Sequence, residues 1–290
     1  MHLPKLQGSG ECYPNDSDLV FLYLLDNPIV VFDSGLGSLS VIKQLRRHLP
    51  AENLLYLADE QHFPYGNKTR QELLTITLDI LRYLERYKPK LVVIASITPS
   101  VQILDVVKRS SRMDIMGIIP PLKIACKLTK KKHIGILATT ATIKSKELGD
   151  LIRSYVPQNI LVTRFDASGI INLVENGEYI TNERKTYDAI SKVLEYREDL
   201  ESHIDVMVLA STHLPFISNY IVSLLPTIRL IDPVKLLAND VKRYLSSNHM
   251  TKKKGVGRTE ILITSNKSRF ETIIRKLGIR EPVKEIFLTH

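Results

Sequence analysis

The chain predicts an α/β fold of two similar doubly wound domains, with mainly parallel sheets and a ligand cleft between the domains. Strand-length apolar runs alternate with amphipathic helical stretches through most of its 290 residues, as in parallel strands covered by helices on both faces. Two widely separated runs end in nearly the same way. Leu91-Val92-Val93-Ile94 leads into Ala95-Ser96-Ile97-Thr98, and Val206-Met207-Val208-Leu209 leads into Ala210-Ser211-Thr212-His213. Ligands of open α/β sheets sit beyond the carboxyl ends of strands, so two such ends facing each other place one hydroxyl on each side of a small molecule.

The elements follow in order. Pro28 to Phe32 is an apolar strand and Leu39 to His48 the first helix; Leu54 to Ala58 is the next strand, before a long helix from Arg70 to Tyr87. After Leu91 to Ala95 come a helix from Val101 to Lys108 and a strand from Ile115 to Ile119. The pair Pro120-Pro121 ends that strand and suits a crossover between domains. The theme repeats with strands His133 to Ala138, Ile160 to Phe165, Val206 to Ala210 and Ile228 to Ile231, each followed by a helical stretch. A Lys-rich, Gly-containing segment from Ser246 to Gly257 precedes a last unit, strand Glu260 to Thr264 and helix Arg269 to Leu277. Because the inner half already has its own strands, this unit is expected to return to the first domain. The expected division is an extension over residues 1–27, a first domain of residues 28–117 plus 234–290, and a second of residues 118–233.

A composition of 44% hydrophobic and 24% charged residues excludes a disordered or fibrous chain. The longest apolar runs fall far short of the roughly 20 residues of a membrane span. The apolar stretch Leu19 to Leu25 lacks the basic flank and cleavage pattern of a signal peptide. With Cys12 and Cys126 the only cysteines, a disulfide framework is not expected and a reducing cytoplasm fits. The net charge of +9 includes the clusters Lys130-Lys131-Lys132 and Lys252-Lys253-Lys254. They are short, lack interleaved aromatics and occupy a helix end and a loop, which argues for solvated lysines rather than a nucleic-acid surface.

Four segments can carry chemistry. Asp33-Ser34-Gly35-Leu36-Gly37 follows the first strand and opens a helix, so its backbone N–H groups can be aimed at an anion. It lacks the third glycine of a dinucleotide fingerprint and the Gly-Lys-Ser/Thr of a P-loop. Pro64-Tyr65-Gly66 can offer a hydroxyl and a backbone N–H to a carboxylate, although it is equally good turn chemistry. Ser96 and Thr98 end one strand and Ser211 and Thr212 the other. His213, two residues after Ser211, is a candidate acid or base near neutral pH, against the alternative of an imidazole satisfying a nearby backbone group.

Taken together, these segments resemble the glutamate racemases of the aspartate/glutamate racemase superfamily from about Pro28 to Leu277. The resemblance is carried by Phe32 to Val41, Ala58-Asp59 with Pro64-Tyr65-Gly66, Ile94 to Thr98, Gly135 to Thr139 with Ala141-Thr142, Leu173-Val174-Glu175-Asn176-Gly177, Leu209 to Pro215, and Leu230 to Pro233. It implies two α/β domains with the ligand between them, no cofactor, a cytoplasmic location, a homodimer, and a supply of D-glutamate for peptidoglycan and cell wall biogenesis. It also implies inversion at the α-carbon of glutamate by two cysteines, one taking a proton from one face and the other returning it on the opposite face. Two bases are needed because a single one returns the proton to the face it left.

The chain departs from this pattern at both thiols. Ser96 stands at the first cysteine position, with Ile97 in place of the neighbouring asparagine, and Ser211 at the second, preceded by Ala210. A thiol with a reference pKa of about 8.5 forms thiolate at neutral pH, whereas a serine hydroxyl needs a strong neighbouring base. Asp33 and His213 match the family's auxiliary groups. Ser34, Pro64, Tyr65, Gly66, Ile97, Thr98, Thr142 and Thr212 match positions that line or hold the ligand, and no metal site is implied. The expectation is a glutamate racemase-like protein with weak or altered activity toward a small amino acid or dicarboxylate. The alternatives are a non-catalytic carboxylate-binding or regulatory protein, and a lyase, isomerase or hydrolase on the same scaffold; the last lacks a G-x-S-x-G elbow.

Overall fold

Strand β1 (Ile29–Asp33) leads through a short 3-10 turn (Leu36–Ser38) into α1 (Leu39–His48), followed by β2 (Leu54–Ala58), α2 (Arg70–Leu84), β3 (Leu91–Ile94), α3 (Ile97–Gln102), α4 (Leu104–Ser110) and β4 (Ile115–Gly117). A second run contains α5 (Leu122–Leu128), β5 (His133–Ala138), α6 (Thr140–Lys144), α7 (Lys146–Tyr155), β6 (Leu161–Asp166), α8 (Ser168–Glu175), α9 (Glu178–Thr181), α10 (Glu183–Val193), α11 (Arg197–His203), β7 (Val206–Ala210), α12 (Ser218–Leu224) and β8 (Arg229–Ile231). The chain closes with α13 (Pro233–Ser247), β9 (Thr259–Ile263), α14 (Lys267–Lys276) and β10 (Val283–Glu285). This computed structural model describes residues 26–194 and 197–288. Most of the expected N-terminal extension, including Cys12, lies outside the described residues.

Among the described residues two sheets form, both wholly parallel: β10-β9-β2-β1-β3-β4 and β6-β5-β7-β8. The order β2-β1-β3-β4 recurs as β6-β5-β7-β8, so the repeated tetrad of the sequence reflects a repeated topology. In each sheet the chain first adds a strand on one side and then crosses to the other, which opens a crevice beyond the carboxyl ends of β1 and β3 and of β5 and β7.

The strands form where they do because their apolar runs are covered on both faces. Every residue of β1, β2, β3 and β7 is buried, as expected of parallel strands under helices. One core joins Ile29 and Val31 of β1, Ile134 and Ile136 of β5, and Val206 and Val208 of β7 to Val41 and Leu45 of α1 and Leu237 and Val241 of α13. Helix starts are fixed locally. Thr69 and Glu72 form a capping box at α2, and Asp232 accepts the Val234 N–H at 2.8 Å ahead of α13. No helix among the described residues is long and apolar enough to cross a membrane.

Several expected boundaries move. The long helix ends at Leu84 and tightens to a 3-10 turn over Glu85–Tyr87, with Lys88 left-handed at φ 47° where the chain turns toward β3. Helical structure begins directly after Ser96, earlier than Val101, because Pro99 is tolerated in a first turn. It breaks at Ile103, whose side chain enters the core beside Ile94. The short edge strand β10 is not foreseen, since three residues carry no periodicity. The lysine clusters serve turns: the Lys130 and Lys131 N–H groups donate to Asp205 Oδ2 at 2.6 and 3.1 Å, and the Lys252 N–H donates to Glu52 Oε1 at 2.6 Å.

Arg46 ties α1 to both β2 and β9. Its guanidinium donates to the carbonyls of Pro50, Glu52 and Arg258 and to the Thr259 hydroxyl, at 2.7 to 3.1 Å. A lysine presents a point charge rather than a fork and cannot serve all four acceptors. Arg46→Lys is expected to lower stability by about 1–3 kcal/mol, read by denaturant unfolding.

Candidate active site

The two crevices face one cavity. Asp33 and Ser34 reach it from the end of β1, Ser96, Ile97 and Thr98 from β3, Thr139 from β5, Ala210 to His213 from β7, and Phe63 to Gly66 from the loop after β2. The cavity measures about 30 Å³, room for water but not for an amino acid, so the walls must part to admit one. Cys126 is not among the lining residues; it sits in α5 against the shared core.

On one wall Asp33 is 1% exposed. Its Oδ1 accepts the Ser34 N–H at 2.7 Å and its Oδ2 accepts the Thr212 hydroxyl at 3.2 Å, and Ser96 lines the same cavity close enough to favour the ionised carboxylate. Burial pushes the carboxyl above its ordinary 3.8, against the opposing pull of His213 and these donors. Asp33 and Ser96 thus share one wall of the cavity.

On the other wall His213 is 5% exposed and lies behind Ser211, with Nδ1 3.4 Å from Ser211 Oγ. Its Nε2 lies 2.7 Å from Glu175 Oε2. A carboxylate accepts, so Nε2 carries the proton and Nδ1 turns a lone pair toward Ser211. Burial lowers the imidazole pKa, which keeps the ring neutral; negative charge on Asp33 or Glu60, when ionised, acts the other way.

Glu175, quoted in the sequence only as part of the Leu173 to Gly177 segment and not as a site residue, is brought to the site by its contact with His213. It ends α8, whose preceding residues Ile170, Ile171, Leu173 and Val174 are all buried. A lone carboxylate closing such an apolar run, just before the left-handed Gly177, was the available signal. Its position corrects the expectation for the glycine turn. The anion held there is this carboxylate, which accepts the Leu36 N–H at 2.8 Å. Neither Gly35 nor Gly37 has positive φ; the requirement is space. A Cβ on Gly35 would lie 2.4 Å from Glu175 Oε2, and one on Gly37 would lie 2.4 Å from Thr212 Oγ1 and 2.7 Å from the His213 ring. Ser40 adds a bridge between the domains by donating to the Gly37 and Thr212 carbonyls at 2.7 and 2.9 Å.

Two expected ligand contacts are placed differently. The Tyr65 hydroxyl donates to Asp59 Oδ2 at 2.9 Å, so it is held away from any ligand although the residue lines the cavity. Thr142 is fully buried outside the lining, and its hydroxyl joins those of Thr98 and Thr139 in a triangle of 3.0 to 3.1 Å sides. Thr139, not singled out in the sequence, takes its place at the surface of the cavity. Gly66 packs against it, a Cβ there falling 3.1 Å from Thr139 Cβ. Pro64, Gly66, Ile97, Thr98 and Thr212 all line the cavity.

Gly37→Ala is expected to cost about 1–3 kcal/mol of stability through overpacking against His213 and Thr212. Thermal unfolding checks this, and displacement of the ring should also change the NMR titration of His213.

No family model matches the chain. The glutamate racemase of Shewanella frigidimarina (strain NCIMB 400) is 34% identical over 231 residues, covering 79% of this chain and 87% of the relative. Among solved structures, glutamate racemase from Thermus thermophilus in complex with β-chloro-D-alanine aligns with a TM-score of 0.79 at 29% identity, over 90% of this chain and 97% of that one. Glutamate racemase from Francisella tularensis subsp. tularensis in complex with D-glutamate gives 0.78 at 26% identity, over 91% and 99%. With such identity along most of both chains, and the repeated parallel topology in common, the chain belongs to the glutamate racemase family.

Proposed function

We propose that this chain inverts the α-carbon of glutamate without a cofactor, moving protons between Asp33 with Ser96 on one wall and His213 with Ser211 on the other. The observation that carries this is a buried acid–base group on each wall of one cavity: Asp33 with Ser96, and His213 with its lone pair facing Ser211. The Francisella relative's complex with D-glutamate and the Thermus relative's with β-chloro-D-alanine support an amino-acid ligand. Ser34, Thr98 and Thr212, with the Pro64 to Gly66 loop, are the groups assigned to its carboxylates and ammonium.

The proton balance is simple. Neutral His213 takes the α-proton through the Ser211 hydroxyl, leaving a carbanion, and protonated Asp33 returns a proton through Ser96 on the opposite face. The product is the other enantiomer, and the pair ends with its proton moved from Asp33 to His213. The reverse direction retraces these steps, as microscopic reversibility requires. Two hydroxyls replace thiols at the point of transfer, so each step lacks the ready thiolate of a cysteine. The proposed activity is accordingly slow. Its product would serve as the D-glutamate of peptidoglycan.

The test is exchange of the glutamate α-proton for deuterium in D₂O, which reports abstraction even when net inversion is slow. Restoring both thiols, Ser96→Cys with Ser211→Cys, is expected to raise exchange by about 10²-fold or more, equivalent to about 3 kcal/mol of barrier. Ile97→Asn in a parallel protein returns the amide where an apolar side chain now lines the cavity. Measurable glutamate binding with no exchange in any of these proteins would favour a binding protein instead.

The pH dependence of exchange follows from His213. Its pKa is lowered from the ordinary 6.5 by burial, so the neutral base persists below that value and is lost only as the pH falls through the lowered pKa. The acid limb of the profile is expected below pH 6.5. An acid limb at or above 6.5 would argue against the buried imidazole as base.

A further inference from the structure

Glu175 Oε1 is buried and has no hydrogen-bond partner among the described residues, although Oε2 of the same carboxylate faces both the Leu36 N–H and His213 Nε2. An unpaired buried oxygen costs the full desolvation of that atom, so a donor is to be sought beside it. The neighbour is a second carboxyl group. Glu60, in the 3-10 turn after β2, is 6% exposed and is held beside Glu175 by a shared partner, Arg269, whose guanidinium reaches both Glu60 Oε2 and the Glu175 carbonyl. Two ionised carboxylates offer each other only acceptors; one proton between them turns the repulsion into a hydrogen bond.

The charges on all sides agree. Among the described residues one cation reaches this pair. The Arg269 guanidinium lies 3.3 Å from Glu60 Oε2 and donates to the Glu175 carbonyl at 3.0 Å and to Asn176 Oδ1 at 2.8 Å. Asn266 donates to Glu60 Oε2 at 3.4 Å. Farther in are Tyr56 of β2, His213 after β7 and Asp33 of β1, each within electrostatic reach of one of the two carboxylates. Two carboxylates, one guanidinium and one shared proton sum to zero charge.

We propose that Glu60 is a neutral carboxylic acid whose proton, taken up from solvent, is shared with Glu175 Oε1, and that Glu60 is thereby a positioning residue for His213. Glu175 then remains a single anion. It accepts from Leu36, from Glu60 and from His213 Nε2, and so holds the imidazole in the tautomer whose Nδ1 faces Ser211. Removal of the proton would leave two anions beside Nε2 and draw a proton onto the ring, consuming that lone pair. Burial and Glu175 together raise the Glu60 carboxyl to about 8, in keeping with the geometry. The shared proton does not depend on the racemase proposal; only its consequence for catalysis does.

The experiment is a carbon-13 NMR titration of protein labelled at the glutamate side-chain carboxyls, with nitrogen-15 in the histidine rings. A Glu260→Gln background is used because burial alone raises that carboxyl to about 7. Two glutamate carboxyls are expected to shift together in one step above pH 7, with the His213 nitrogens moving in the same step, and Glu60→Gln should abolish the step while keeping the neutral His213 signals. A protein in which all glutamates finish titrating below pH 6, or in which the His213 nitrogens ignore the step, overturns the proposal.

Stability gives a second measurement. Because the folded-state pKa lies above the ordinary 4.5, the contribution of Glu60 is full below pH 4.5 and is lost as pH rises through about 8. The Tm of the parent protein should therefore fall relative to Glu60→Gln across that window. A constant Tm difference from pH 5 to 9 overturns the shared proton. Absence of α-proton exchange with both signatures intact would sink the racemase proposal alone.

Discussion

Burying the carboxylate of Glu175 costs several kcal/mol unless donors replace the water it loses, and most of the unusual features around the cavity are ways of supplying them. The turn after β1 brings the Leu36 N–H within 2.8 Å and must pass so close that neither Gly35 nor Gly37 has room for a side chain. The imidazole of His213 comes in from β7 to meet the same oxygen. Arg269, from the last helix, grips the Glu175 carbonyl and the neighbouring Asn176. Segments from both sheets thus converge on one group, and its satisfaction fixes where β1 and β7 stand relative to each other.

That convergence is what the proposed catalysis rests on. A pocket that only binds a carboxylate needs donors facing the ligand. Here Asp33, Glu60, Glu175 and His213 are all buried together, and each is shifted toward its neutral form. Clusters of this kind are characteristic of sites that move protons, although structural ion-pair networks also produce them. Ser96 and Ser211 line the same cavity as this buried group, Ser96 with Asp33 and Ser211 with His213.

The fold was legible in the sequence because its strands are buried on both faces and read as unbroken apolar runs, and because β3 and β7 end in matching tetrads at equivalent places in the two sheets. The site was legible to the extent that its residues follow strand ends: Asp33, Ser96, Ser211 and His213 all do. Glu60 and Glu175 escaped because their roles depend on contacts between distant segments, which no local pattern encodes. Tyr65 and Thr142 were misplaced for the same reason. Which way a hydroxyl turns is decided by partners such as Asp59, at the end of β2, and Thr98, in α3.

The central claim is that one small amino acid is held between two acid–base walls. A crystal structure of the protein with D-glutamate bound tests it most directly. The account predicts the walls parted enough to admit the ligand, with its α-carbon between the Ser96 and Ser211 hydroxyls and Asp33 and His213 on opposite faces. A ligand bound outside this cavity, or with Ser96 and Ser211 on the same face of its α-carbon, would contradict it.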